Sequence, residues 1–91
     1  MSQPSYTIAW TSPAQWALRT LPEKVATAAV EFIYGSLADN PHRVGKPLRH
    51  ELAGLHSARR GEYRVIYRIN AGRQSVEIVA IEHRTDAYRP R

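Results

Sequence analysis

Two β-rich runs near the carboxyl end constrain the fold of this chain more than any other feature. In Glu62–Ile69, aromatic and β-branched residues alternate with arginines, which predicts a strand with one apolar and one charged face. Asn70–Arg73 has the composition of a turn. Ser75–His83 is almost continuously apolar, which predicts a central strand buried on both faces. The chain is therefore expected to fold around a sheet that carries arginine on one surface.

The amino-terminal half predicts a further strand and a first helix. Tyr6–Trp10 alternates and is rich in β-forming residues. Ser12 is expected to cap a short helix with Pro13 in its first turn, where the missing N–H costs nothing. Leu21-Pro22 ends this helix and starts another.

The second helix carries one apolar stripe at spacings of three and four residues, and Asn40-Pro41 ends it. The stripe consists of Val25, Ala28, Ala29, Phe32, Ile33 and Leu37. Such a face must pack on something, and the sheet is the obvious partner. Residues 41–54 are expected to form a loop with a short turn around Leu48–Leu52, and Leu55–Arg59 is a weaker strand candidate. The predicted order is strand, two helices, three strands.

The bulk properties describe one small domain spanning residues 1–91. The chain has no cysteine, which excludes a disulfide scaffold and a thiol nucleophile. No apolar run approaches the roughly 20 residues of a membrane span, and no signal peptide is evident. A cytoplasmic protein without a membrane partner is expected.

Positive charge is concentrated in the second half of the chain. The formal net charge is +5, and residues 42–64 hold six of the thirteen lysines and arginines but two of the eight acidic residues. Clustering of this kind favours a polyanionic partner, either nucleic acid or an acidic protein. A merely solvated basic surface is the alternative.

The chain lacks the motifs of metal and nucleotide sites, so no cofactor is expected. Arginine, lysine, histidine and tyrosine can nevertheless cleave RNA, whose 2′-hydroxyl is a nucleophile beside the scissile phosphate. The protein must remove the hydroxyl proton, stabilise the pentavalent phosphorane and protonate the leaving 5′-oxygen. Arginine suits the middle task because its planar fork pairs with phosphate oxygens. Histidine or tyrosine suits the other two.

One set of residues is available for this chemistry. Arg64, on the charged face of its strand, is the leading candidate to contact the phosphate, and the end of the last strand supplies the others. The predicted catalytic residues are Arg64, Arg84, Tyr88 and His83, and the predicted phosphate- or RNA-binding residues are Lys46, Arg49, Arg59 and Arg60. The same charges could instead be solvated, Tyr88 could cover the core and His83 could be structural.

Several segments together resemble the RelE/ParE superfamily of toxins from toxin–antitoxin systems, on its RelE and YoeB side. They are Gly45–Gly54, Ser57–Tyr67, the ending Ile81–Arg89 and the Leu21–Lys24 step between the helices. The resemblance covers nearly the whole chain. It implies a small α+β fold, with an antiparallel sheet of about four strands and two amino-terminal helices on one face.

The resemblance also implies a function. It suggests an endoribonuclease that enters the ribosomal A site and cuts mRNA there, and a RelB-like, acidic antitoxin that neutralises it. The family's strand arginine matches Arg64, and its later arginine and terminal tyrosine match Arg84 and Tyr88. The paired lysines of RelE and the acidic general base of YoeB have no counterpart in this chain. The hypothesis is that His83 or Tyr88 takes the proton, with Arg59 and Lys46 supplying charge.

Two other functions remain open at this point. A ParE-like toxin shares the fold but inhibits DNA gyrase instead of cutting RNA. A basic RNA-binding module would bind without catalysis.

Overall fold

The computed structural model describes residues 5–83, which form five strands and a group of helices. The strands are β1 (Thr7–Trp10), β2 (Lys46–Pro47), β3 (His56–Arg60), β4 (Tyr63–Asn70) and β5 (Ser75–His83). The helical elements are α1 (Ser12–Thr20), α2 (Glu23–Phe32) with a following π-helical turn (Ile33–Leu37), α3 (Pro41–Val44) and a 3-10 turn (His50–Leu52). The predicted α+β class is confirmed.

The strands form one sheet in the order β1-β5-β4-β3-β2. The pairings from β2 to β5 are antiparallel, whereas β1 joins β5 in parallel. The sheet thus differs in detail from the expected four antiparallel strands, because the two-residue β2 extends one edge and the parallel β1 forms the other. Residues 11–74 lie between β1 and β5, and this connection is long enough for a parallel pairing.

β4 has the two faces that its sequence predicts. Tyr63, Val65 and Tyr67 are buried on the side of the sheet that carries the helices, while Arg64 and Arg68 are exposed on the opposite, open face. The helices contribute Ala14, Ala29, Ile33 and Leu37 to the same core. Five of the six residues of the predicted apolar stripe therefore pack in the core as expected, whereas Ala28 is exposed.

A β-bulge in β5 decides which of its side chains face the helices. The register shifts between Ile66 and Tyr67 of β4, so that Val79 has no partner there. Buried residues are therefore even-numbered before the bulge and odd-numbered after it: Val76, Ile78, Ile81 and His83. Glu82 consequently lies on the open face. That face of β5 is half-buried or exposed, so the prediction of burial on both faces is wrong for it.

Thr11, not Ser12, caps α1. Its Oγ1 accepts from the Ala14 amide at 3.3 Å and also donates to the carbonyl of Ile78 at 3.0 Å. The same hydroxyl thus satisfies a free helix amide and ties the helix to β5, which makes Thr11 the better cap. Pro13 lies in the first turn as predicted. Within residues 5–83, none of the helices has the length and apolar character to cross a membrane.

The segment predicted as a loop contains short regular elements, α3, β2 and the 3-10 turn. It is tied to the sheet by Tyr67, whose buried hydroxyl donates to the carbonyl of Pro41 at 2.6 Å. Gly45 passes so close that a Cβ there would overlap the Tyr67 hydroxyl and lie 2.9 Å from the carbonyl of Ser57. Glycine is therefore required at this crossing.

Candidate nucleic-acid interface

A groove of about 390 Å³ lies between the Gly45–Leu48 segment and the β3–β4 strands. Its walls carry four cationic side chains, Lys46, Arg59, Arg60 and Arg64. Val44, Gly45, Leu48 and Ser57 complete the lining. Four of the eight residues predicted from sequence to act on RNA therefore meet in one place, with no carboxylate among the lining residues.

The strand register sets two of these cations directly against each other. Arg59 of β3 pairs with Arg64 of β4, and Arg64 pairs in turn with Glu82 of β5. These three side chains form a row across the open face, called here the groove row. Like charges directly opposite on adjacent strands are destabilising. A row with two cations and one anion is a suitable place for a bound anion.

Arg64 is held by the glutamate of this row. Its Nε donates to Oε1 of Glu82 at 3.0 Å, and its Nη2 contacts the same oxygen. About half of each side chain remains exposed. The predicted phosphate contact is therefore a half-exposed guanidinium with a defined orientation.

Lys46 and Arg60 also line the groove. Lys46 pairs with Ser57 in the β2–β3 register, and Ser57 is two residues from Arg59 along β3. Arg60 pairs with Tyr63 of β4, and its guanidinium carbon lies 4.5 Å from the centroid of the Phe32 ring of α2. A guanidinium stacked on an aromatic ring is attracted by the negative face of the ring, and this contact fixes the Arg60 side chain.

Among the described residues, His83 and Arg49 do not line the groove. His83 is buried on the helix side, where it pairs with Tyr63 in the register and its Nε2 lies 3.4 Å from Oε1 of Glu62. Arg49 is exposed outside the groove lining. Arg84 and Tyr88 lie outside the described residues. The catalytic roles of His83, Arg84 and Tyr88 and the RNA-binding role of Arg49 stay predictions.

Glu82 is the site residue that the sequence analysis missed. Its place beside Arg64 depends on the bulge at Val79, which exchanges the faces of the residues after it. Without the bulge, alternation from Ile78 would have turned Glu82 towards the helices. The one sequence signal was the acidic residue itself, directly after the apolar run Ile78–Ile81.

A cluster of rings lies behind the groove wall. His56 stacks on Tyr67 with 5.5 Å between ring centroids, and His42 meets His56 edge to face at 6.1 Å. Burial, and secondarily the nearby His42, lower the pKa of His56 below its usual 6.5. Burial raises the pKa of Tyr67 to about 12. Both rings therefore favour their neutral forms. Within residues 5–83, no three His, Asp or Glu side chains converge as metal ligands.

Comparisons with known proteins assign the chain to a family. Residues 8–88 match the family described as the ParE toxin of type II toxin–antitoxin system, parDE. Toxin RelE of Mycobacterium tuberculosis is 56% identical over 92% of this chain and 87% of its own length. Toxin RelG of the same organism is 50% identical over 92% of this chain and 97% of its own length.

A solved structure agrees in fold and in sequence. One chain of the crystal structure of the toxin–antitoxin complex RelBE2 from Mycobacterium tuberculosis superimposes with a TM-score of 0.87 at 48% identity. The match covers 89% of this chain and 100% of that chain. The chain belongs to the ParE toxin family of type II toxin–antitoxin systems.

Proposed function

We propose that this protein is a toxin that acts in the cytoplasm and cuts mRNA in the ribosomal A site, using the 2′-hydroxyl of the RNA as nucleophile and no metal ion. The observation that carries the proposal is the groove row, in which Arg59 and Arg64 face each other on the wall of a basic groove. The relatives named Toxin RelE and Toxin RelG, at 56% and 50% identity, support a toxin of RelE type.

Cleavage by the 2′-hydroxyl depends more on positive charge beside the phosphate than on a deep active-site cleft. When the 2′-oxygen attacks the phosphorus, the P–O5′ bond breaks and negative charge grows on the non-bridging oxygens. Arg64 and Arg59 are proposed to bind those oxygens, because a guanidinium stays protonated and matches phosphate geometry. Lys46 and Arg60 are proposed to hold the flanking phosphates.

The proton transfers are proposed for His83, the last residue of β5, or for Tyr88. Arg84 and Tyr88 follow β5, whose penultimate residue Glu82 contacts Arg64. His83 stays a candidate general base, although its ring is buried on the helix side. His83→Ala and Tyr88→Phe test these assignments, since full cleavage rates of both variants on translating ribosomes would contradict them.

A cognate antitoxin of RelB type is the proposed partner. The structural relative was solved as a toxin–antitoxin complex. This chain has a formal net charge of +5, and its groove is lined by cations, so the antitoxin is expected to be acidic where it binds. Co-purification with the product of the neighbouring gene should yield a small acidic companion.

The function is tested by adding the purified protein to a reconstituted translation reaction and mapping new mRNA ends. The proposal predicts cuts within A-site codons, with a 2′,3′-cyclic phosphate on the upstream fragment because the 2′-oxygen is the nucleophile. Cuts without that end group would contradict the proposed mechanism.

A second candidate is inhibition of DNA gyrase, favoured by the match to a family named after ParE. The same protein is therefore added to a gyrase supercoiling assay. Intact mRNA together with blocked supercoiling would replace the first proposal by this one. RNA binding without cleavage or gyrase inhibition would identify a non-catalytic binding module.

A further inference from the structure

Among residues 5–83, Glu82 is the acidic side chain that forms an ion pair with a groove arginine. We propose that Glu82 is a positioning residue, whose carboxylate fixes the guanidinium of Arg64 so that its remaining N–H groups meet the RNA phosphate. The inference rests on the proposed function for its consequence in catalysis, but its geometric part can be tested without it.

The hydrogen-bond pattern defines the orientation. One carboxylate oxygen of Glu82, Oε1, accepts hydrogen bonds from both Nε and Nη2 of Arg64. One edge of the guanidinium is therefore bound to Glu82. Nη1 donates to no side chain or carbonyl in the described part of the chain, and Arg64 lines the groove. The guanidinium is thereby held by one edge while N–H donors remain for a phosphate oxygen.

Arg64 needs such support because of its neighbour. Arg59 lies directly opposite on β3, and repulsion between the two cations would drive a free arginine side chain away from it. The arginine side chain also has many rotamers. Without support, binding of a phosphate would have to select one of them and would lose conformational entropy. Fixing the rotamer beforehand gives a faster reaction rather than a more stable fold, since exposed ion pairs add little stability.

A second ion pair supplies the matched control. Arg68 and Glu77 lie on the same two strands and the same face, paired at 2.6 Å with similar exposure. Neither residue lines the groove. Substituting Glu77 therefore removes the same charge and the same kind of contact at a place with no proposed role.

Side-chain NMR of the arginine Nε–H groups tests the positioning directly. In the wild type, Arg64 should be more ordered than Arg59, and Glu82→Ala should lower its order to that of Arg59. Glu77→Ala should leave Arg64 unchanged and loosen Arg68 instead. If Arg64 stays as ordered in Glu82→Ala as in the wild type, the proposal is wrong whatever the protein does to RNA.

Cleavage kinetics test the consequence. Glu82→Ala should slow single-turnover cleavage about tenfold relative to Glu77→Ala, without weakening the affinity for mRNA on the ribosome. In an Arg64→Ala background, Glu82→Ala should change the rate no further. A rate equal to that of Glu77→Ala, or an equal slowing in the Arg64→Ala background, would overturn the proposal. If the wild type cuts no RNA, the proposed function fails while the NMR comparison still decides the role of Glu82.

Discussion

Two arginine–glutamate pairs lie side by side on the open face of β4 and β5. Arg64 binds Glu82, and Arg68 binds Glu77, in both cases through residues that are neighbours in the strand register. About half of each side chain is exposed in both pairs. In charge, strand position and exposure the two pairs are alike, although Arg64 donates from two nitrogens to Glu82 and Arg68 from one to Glu77.

They differ in what lies on the side of β3. Arg64 faces a second cation, Arg59, and borders the groove, whereas β3 pairs with β4 only as far as Tyr67 and gives Arg68 no partner. The groove row thus has an unbalanced cation, while the Arg68–Glu77 pair is neutral. The contrast teaches that an ion pair does not mark a binding site by itself. The binding site is proposed where the fold leaves a positive charge uncompensated, at Arg59 and Arg64.

The largest expected difference between the pairs is in catalysis. Arg64→Ala should lower the single-turnover rate of mRNA cleavage at least about 100-fold, as expected for loss of a transition-state donor. Arg68→Ala removes an equal charge from the same strand and should stay within about threefold of the wild type. Equal losses in both variants would show that total charge, not the groove row, matters.

An added methyl group should destabilise the fold more at Gly45, in the groove wall, than at Gly35. Gly45→Ala places a methyl group against the Tyr67 hydroxyl and the Ser57 carbonyl, which should cost about 2 kcal/mol in the free energy of unfolding. Gly35 has open space at its Cβ, so Gly35→Ala should be neutral or mildly stabilising. Urea denaturation of both variants measures this. Similar midpoints would contradict the tight crossing at Gly45.

The repulsion within the groove row predicts opposite effects on stability and function. Arg59→Ala should raise the free energy of unfolding by about 0.3 kcal/mol, because it removes a like charge opposite Arg64. It should also slow cleavage about tenfold. Arg73→Ala, at an exposed position in the turn between β4 and β5 and outside the groove lining, is the control and should change neither quantity. An Arg59→Ala variant that is less stable yet fully active would contradict this account.

The smallest effect concerns pH. Burial lowers the pKa of His56 in the folded chain. Below pH 6.5 the unfolded chain therefore binds a proton at His56 more readily than the folded chain does. Stability should therefore be full above pH 6.5 and decline as the pH falls from 6.5 through the lower folded value. His56→Phe keeps a ring on Tyr67 and should reduce this decline. The control His50→Asn suits the positive φ of 59° at that position and should not.

Much of the fold follows from local sequence pattern. The bounds of β5 match the predicted Ser75–His83, and β4 is offset from its predicted run by one residue at each end. Alternation and apolar runs are local signals, so they are readable from one sequence. β2 is not readable in this way, since a two-residue strand such as Lys46–Pro47 shows no period. It forms because β3 offers it an edge.

The site could be predicted only in part. Charge clustering in the sequence predicts Lys46, Arg59, Arg60 and Arg64 as phosphate contacts, and all four line the groove. Glu82 and His83 lie on opposite faces because they are consecutive in the strand, but the bulge at Val79 decides that Glu82 lies on the open face and His83 on the helix side. A bulge is set by pairing between strands, and the sequence of one strand does not carry that information.

The central claim is that the two arginines of the groove row contact phosphate. The salt dependence of RNA binding tests this claim most directly. Binding of a short single-stranded RNA is measured by fluorescence anisotropy over a range of salt concentrations for Arg64→Ala, Arg59→Ala and Arg68→Ala. Each phosphate contact in a single strand contributes about 0.7 to the slope of log K against log salt. The account predicts a slope shallower by about 0.7 for Arg64→Ala and for Arg59→Ala, and the wild-type slope for Arg68→Ala. The same slope in all three variants would contradict it.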